Sequence, residues 1–204
     1  MNINSNDIKE MERRYRATLV NSLPGYKCLH MIGTRNLNGS TNLGLFNSVF
    51  HLGADPALLG VIFRPNSKDH DTLKNIVASK CYSLNNVLPE WYEQAHQTSA
   101  RYPSGQSEFQ SCNFSEHYLS GFNAPFVAES SIKIGMKLRE IIELKINGTT
   151  MVIGEIINID FENEIIDADG HIDHKKARTV TIAGLDAYYT AEPIARLPYA
   201  KPNL

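Results

Sequence analysis

GLFNSVFHLGADPALLGVIFR, residues 44–64, carries two apolar runs rich in Val, Leu and Phe on either side of a Gly-Ala-Asp-Pro break. Residues 42–51 and 56–63 read as two strands. The chain then runs into RPNSKDHDTLKNIVASK, residues 64–80, where an arginine, a proline, a histidine and two aspartates crowd a strand-to-helix turn. The spacing predicts a helix over 71–79, with Asp69 or Asp71 capping it, with Leu73, Ile76 and Val77 on its apolar face, and with Lys74 and Asn75 facing solvent or orienting the turn.

Outward from this unit the pattern stays mainly β. Residues 8–20 predict a short helix that Leu23-Pro24-Gly25 stops. Residues 26–34 predict a strand, and Asn36-Leu37-Asn38-Gly39 a turn into 42–51. After the helix, 81–87 predicts a strand, and Pro89 opens a second helix through Trp91, Tyr92 and Ala95. Residues 99–126 read as a long excursion with pieces of helix. The last third predicts strands over 127–134, 138–146, 150–161 and 178–183, with turns at Gly135, Asn147-Gly148 and Asp169-Gly170. Many strands, few helices and long connections imply a mainly β fold with helical insertions, closed or nearly closed into a barrel. A doubly wound sheet fits poorly, given the shortage of crossover helices and the lack of a Gly-rich turn after the first strand. The expected division is an N-terminal extension over 1–24 and one domain over 25–204, with a helical insertion at about 89–122.

The composition is that of an ordinary globular protein: 42% hydrophobic, 21% charged, with a net charge of −2. Such a balance offers no broad cationic surface to a polyanion, which argues against nucleic acid as a partner. Cys28, Cys81 and Cys112 are odd in number and lack CxxC spacing, as free thiols in a reducing compartment are. MNINSNDIKEMERRYR has no apolar core of the kind a signal peptide needs, and no stretch reaches membrane-span length. A soluble cytoplasmic protein is the expectation.

The start of the 71–79 helix is the first candidate site. Its leading amides lack intrahelical partners and carry partial positive charge, so a phosphate gains there. Thr72 adds a hydroxyl, and Arg64 a fork of donors. An ordinary capped turn beside a surface arginine accounts for the same residues. The second candidate is GSTNLGLFNSVFHLGADP, residues 39–56, where Ser40, Thr41, Asn42, Asn47 and Ser48 interrupt an apolar strand. Buried amides and hydroxyls need partners, and a flat heterocycle with a polar edge supplies them. Equally, Asn47 fits a bulge or strand end. His171 and His174 have an i, i+3 spacing but no third ligand, so no metal site is expected. Trp91 fits a helix core position, Cys81 a packing role and Cys112 an exposed one.

Taken in order, GLFNSVFHLGADPALLGVIFR, DTLKNI (71–76), CYSLNNV (81–87), SEFQSCNF (107–114), NAPFVAES (123–130) and GLDAYYTAEPIARLPYAKP (184–202) resemble the flavin reductase-like family, the FMN-binding split barrels. The resemblance covers nearly the whole chain from about Tyr26. It implies a split β-barrel of Greek-key type that binds FMN, near a homodimer interface. The segment from Ser40 through Thr41, Asn42 and Asn47 to Ser48 would meet the ring and ribityl chain. Arg64, His70, Thr72 and Asn75 would hold the phosphate, and Tyr189 or Arg196 would lie near the cofactor. The implied activity is FMN-dependent hydride transfer from NAD(P)H, with flavin, iron or an oxygenase as acceptor. No catalytic side chain is required, since the cofactor carries the hard step. A flavin- or haem-binding carrier or sensor without turnover is the alternative. A barrel that binds protein or single-stranded nucleic acid is disfavoured, because its aromatics are not interleaved with a basic stripe.

Overall fold

A computed structural model describes residues 1–65, 70–103 and 105–202. Two helices, α1 (Ser5–Glu10) and α2 (Arg13–Ser22), stand where one was expected. Each has its own start. Asn4 and Asp7 exchange side chain-to-backbone bonds in a capping box, and the Glu12 carboxylate accepts the Arg14 and Tyr15 amides. The expected strand over 26–34 is likewise two, β1 (Tyr26–Lys27) and β2 (His30–Arg35), which join different sheets.

The remaining elements follow in chain order: β3 (Thr41–Phe46), β4 (Val49–Ala54), β5 (Ala57–Phe63), α3 (Asp71–Ser79), β6 (Cys81–Asn86), α4 (Tyr92–Gln97), α5 (Glu108–Ser111), β7 (Glu116–His117), β8 (Phe126–Val127), β9 (Ile132–Leu144), β10 (Thr149–Phe161), β11 (Val180–Ala183) and β12 (Ala187–Thr190). The main sheet has seven strands in the order β3-β2-β6-β9-β10-β5-β4, every pairing antiparallel. Its two edges, β3 and β4, are separated in sequence only by Asn47 and Ser48. A sheet whose first and last strands are joined by two residues must curl until its edges meet at that corner. The result is the split barrel that the sequence predicts. The strand expected over 42–51 is therefore broken at Asn47-Ser48: before the corner it pairs with β2, and after it with β5. The Ile62 amide donates to the Ser48 carbonyl at 3.0 Å and fastens the corner.

Strand alternation sorts the core. Ile32, Val61, Tyr82, Leu84, Met136 and Val152 fill the barrel, and α3 closes it with Leu73 and Ile76. Met31, Leu43, Val87, Trp91, Phe109 and Phe114 lie on the other face of the sheet, under the insertion that carries α4 and α5. Covered on both sides, β6 is buried at nearly every position, as a central strand between two layers must be. Trp91 is a core residue, its ring edge-on to Phe114 at 5.2 Å.

Four further expectations change. Val77 is 42% exposed; the buried face of α3 is Thr72, Leu73, Asn75 and Ile76. Asp71 is the first helical residue rather than the cap, a place His70 takes without a side-chain bond, and Asp69 lies outside the described residues. Gly135 is not a turn but sits inside the 13-residue β9, where its missing side chain makes room for the Phe122 ring, 3.3 Å from where a Cβ would stand. Cys112 is buried rather than exposed; Cys81 packs, half-buried, against the cluster of Phe122, Ala124 and Phe126, and Cys28 is exposed. The Asn147-Gly148 hairpin joins β9 to β10 as expected, with Gly148 at φ +73°. Among the described residues, no helix is long and apolar enough to cross a membrane.

Candidate functional site

The barrel corner opens into a cleft of about 890 Å³, within the size range of cofactor sites. Three pieces of the fold supply its walls. The first is the exposed edge of β3, continued through the corner at Asn47 and Ser48. The second is the end of β5 at Phe63 and Arg64 with the start of α3. The third is the insertion over residues 98–102 and Glu108.

An edge strand leaves every second amide without a strand partner. On β3 one of these is Leu43, whose N–H donates to Glu108 Oε2 at 3.0 Å. By the same two-residue period the Leu45 amide also points away from β2 and into the cleft that Leu45 lines. Burial pushes the Glu108 carboxyl up from its ordinary range, and the Leu43 N–H pulls it partly back. Below the strand edge, Phe46 and Phe63 meet with ring centroids 5.0 Å apart and form an apolar floor.

The far wall begins with α3. His70 stands at its N-cap in extended conformation, and among the described residues no side chain caps the first turn. The first-turn amides of a helix lack intrahelical partners and suit an anion. Arg64 and His70 are both exposed beside them.

Behind the walls runs a buried polar network. Asn42 Nδ2 donates to Thr72 Oγ1 at 2.9 Å and, more weakly, to Thr34 Oγ1 at 3.4 Å. Asn75 Nδ2 donates to Thr34 Oγ1 at 3.1 Å. Thr34 is fully buried, and Asn42, Thr72 and Asn75 are within a tenth of it. The network ties β2, β3 and α3 together and fixes the helix start against the strand edge. Mostly paired with one another, these side chains set geometry first and offer what capacity remains to a ligand.

The structure brings the sequence candidates to one place but gives them different work. Asn42, Asn47, Ser48, Arg64, His70 and Thr72 line the cleft. Ser40, Thr41 and Asn75 line a smaller depression of about 100 Å³ that shares Asn42 and Asp71 with it. Thr41 is tied to the insertion, its hydroxyl 2.8 Å from Ser107 Oγ and donating to Glu116 Oε1 at 2.6 Å. Asn47 lies at a strand end: its Nδ2 donates to the Gly184 carbonyl at 2.8 Å, and its Oδ1 accepts the Ser48 hydroxyl at 3.2 Å. It pins the corner to the turn between β11 and β12. Sequence reasoning missed Thr34, Glu108 and residues 98–102. A hydroxyl at the fourth apolar position of β2 was a signal for Thr34, whereas nothing local marks Glu108.

The remaining candidates lie elsewhere. Arg196 pairs with Asp167 and Asp169, Tyr188 Oη meets His96 Nδ1 at 2.6 Å, and Tyr189 packs on Tyr26; none of them lines the cleft. His174 Nδ1 meets Thr179 Oγ1 at 3.1 Å. Among the described residues, no group of three or more His, Cys, Asp or Glu is placed to hold a metal ion.

The residues present fit FMN. An outward backbone amide and an apolar floor suit a flat ring with a polar edge, and the N-terminus of α3 beside Arg64 suits a terminal phosphate. Fold and cleft together define the class of flavin-binding split-barrel oxidoreductases. The comparisons agree. Residues 29–179 match the family described as the flavin reductase like domain, and the chain belongs to that family. A crystal structure of a split-barrel-domain protein from Shewanella frigidimarina NCIMB 400, to which flavin reductase identity has been attributed, is 46% identical. It covers 98% of this chain and 100% of its own, with a TM-score of 0.94. Nitrilotriacetate monooxygenase component B from Bacillus cereus is 16% identical (97% and 98% covered, TM-score 0.85). The 2-nitrobenzoate 2-nitroreductase NbaA of Pseudomonas fluorescens is 21% identical (99% and 98% covered, TM-score 0.83). These last two share the fold.

Proposed function

We propose that the chain is an FMN-dependent oxidoreductase that accepts hydride from NAD(P)H, with FMN bound along the β3 edge and its phosphate at the start of α3. The observation that carries this is the meeting, in one cleft, of an outward strand amide and the N-terminus of α3 flanked by Arg64 and His70. Bound FMN supplies the two-electron chemistry, taking the hydride of a dihydronicotinamide. The protein positions and tunes it. The Leu45 N–H, pointing into the cleft, would stabilise negative charge at the edge of a bound ring. Phe46 and Phe63 exclude water from beneath the ring. The network of Thr34, Asn42, Thr72 and Asn75 keeps ring and phosphate sites at a fixed separation. Arg64, His70 and the first-turn amides of α3 hold the phosphate, and Ser40, Thr41, Asn47 and Ser48 shape the strand edge and its corner. Free flavin, iron or an oxygenase would be the acceptor. One fold relative is named as component B of a monooxygenase, which supports the last of these. A homodimer is the expected working form.

An absorption spectrum of the purified protein, followed by anaerobic mixing with NADH and NADPH, tests this reading. Flavin bands that bleach on mixing support it. A colourless protein that takes up no added FMN refutes it, and bound flavin that stays oxidised with both donors leaves a carrier instead.

A further inference from the structure

The flavin reading uses two walls of the cleft and leaves the third without a role. That wall, residues 98–102, is held from behind. Thr98 is buried, and its hydroxyl donates to the Ala95 carbonyl at 2.7 Å. The Ser99 and Ala100 amides donate to the His96 and Gln97 carbonyls, each at 3.0 Å. The Tyr102 hydroxyl accepts from Gln97 Nε2 at 3.2 Å and meets Cys112 Sγ at 3.4 Å. Arg101, exposed between these fixed neighbours and lining the cleft, makes no hydrogen bond or ion pair with any described residue.

The cleft's charge makes that position informative. The chain as a whole is at −2, yet the cleft lining holds Arg64, Lys74 and Arg101 against two acids. Of these, Glu108 is engaged with the Leu43 amide and shifted by burial toward its neutral form. Asp71 sits in the first turn of α3, on the wall assigned to the FMN phosphate. A cationic fork on a hydrogen-bonded wall, with no partner among the described residues, is suited to a phosphate carried by a second reactant.

We propose that Arg101 binds a phosphate group of the dinucleotide hydride donor, and that residues 98–102 form the subsite that seats this donor over the flavin. The assignment rests on the flavin reading above. It makes Arg101 a specificity residue that discriminates phosphorylated nicotinamide donors from uncharged ones.

The test uses the full chain loaded with FMN and the oxidised dinucleotides NAD⁺ and NADP⁺ as non-reacting probes, titrated calorimetrically. FMN affinity is measured separately by flavin fluorescence quenching. Arg101→Ala should weaken binding of the better dinucleotide roughly ten- to hundredfold while FMN affinity stays within about twofold. Arg101→Lys should restore part of the loss, and added salt should weaken the wild type more than Arg101→Ala. A dinucleotide affinity unchanged in Arg101→Ala overturns the proposal, as does wild-type protein that binds neither dinucleotide. A loss confined to FMN places Arg101 on the cofactor and also overturns it. Wild type that fails to bind FMN at all defeats the flavin reading itself, a result distinct from the others.

Discussion

Thr34→Val is the sharpest probe of how the site is built. Thr34 is fully buried on β2, and its hydroxyl accepts from Asn75 at 3.1 Å and from Asn42 at 3.4 Å. Valine keeps the shape and the β-branch, so no cavity opens and strand propensity is preserved. What changes is polar. Asn42 keeps its shorter bond to Thr72 at 2.9 Å, so the longer one counts for little. Among the described residues Asn75 Nδ2 has no other acceptor, and its residue is 7% exposed. Leaving one buried donor unpaired costs about 1–3 kcal/mol. For a chain of this size, about 2 kcal/mol corresponds to a fall of roughly 4–8 °C in thermal midpoint. FMN affinity should fall too, since α3 loses its tie to β2. Scanning calorimetry and a urea titration, each with and without FMN, measure both. Thr34→Val/Asn75→Leu removes donor and acceptor together and should recover a good part of the loss, because an absent pair costs less than a broken one. A single variant within about 0.5 kcal/mol of wild type, below any unpaired buried donor, would refute the network's role.

Gly33→Ala should destabilise by about 1–3 kcal/mol or prevent folding, read as a lowered urea midpoint or lost soluble protein. A Cβ there would stand 2.2 Å from the Pro125 carbonyl oxygen, which is backbone and cannot swing away. His30 gives a pH signature. Burial first, and the charge of His174 second, depress its ring from about 6.5 to about 4, and its Nδ1 is sealed without a partner among the described residues. The fold therefore holds the neutral ring, and the unfolded chain takes up the proton first. The contribution is intact above about pH 6.5, declines as pH falls through the window, and is gone below about 4, on the order of 3 kcal/mol in all. Denaturant titrations between pH 7 and 4 should show a shallower slope in His30→Gln; an identical slope would remove His30 from this role. Gly44→Val should impair FMN binding more than folding, since its Cβ would press on Phe46 at 3.1 Å in the cleft floor.

The fold was legible where local chemistry and tertiary role coincide. The α3 boundaries, the Asn147-Gly148 hairpin and the polar corner at Asn47-Ser48 all follow from residue type. Other features were set at a distance. Gly135 reads as a turn but is a strand position vacated for Phe122, a residue 13 places away. Val77 has a core-forming side chain, but α3 presents Thr72 and Asn75 to the barrel because Thr34 and Asn42 wait there to bond them. Cys112 is buried because the insertion folds back and sets Tyr102 against it. The cleft was readable on the walls formed by neighbouring strands and α3. The third wall depends on a long excursion docking α5 against β3 through Glu108, which no local periodicity encodes.

The central claim is that the flavin's phosphate is gripped at the start of α3 beside Arg64. It is tested most directly by titrating FMN and riboflavin, in parallel, into wild-type protein and Arg64→Ala. We expect wild type to favour FMN roughly tenfold or more, and Arg64→Ala to lose FMN affinity while its riboflavin affinity holds. Equal affinity of wild type for the two flavins, or equal losses for both in the variant, would contradict it.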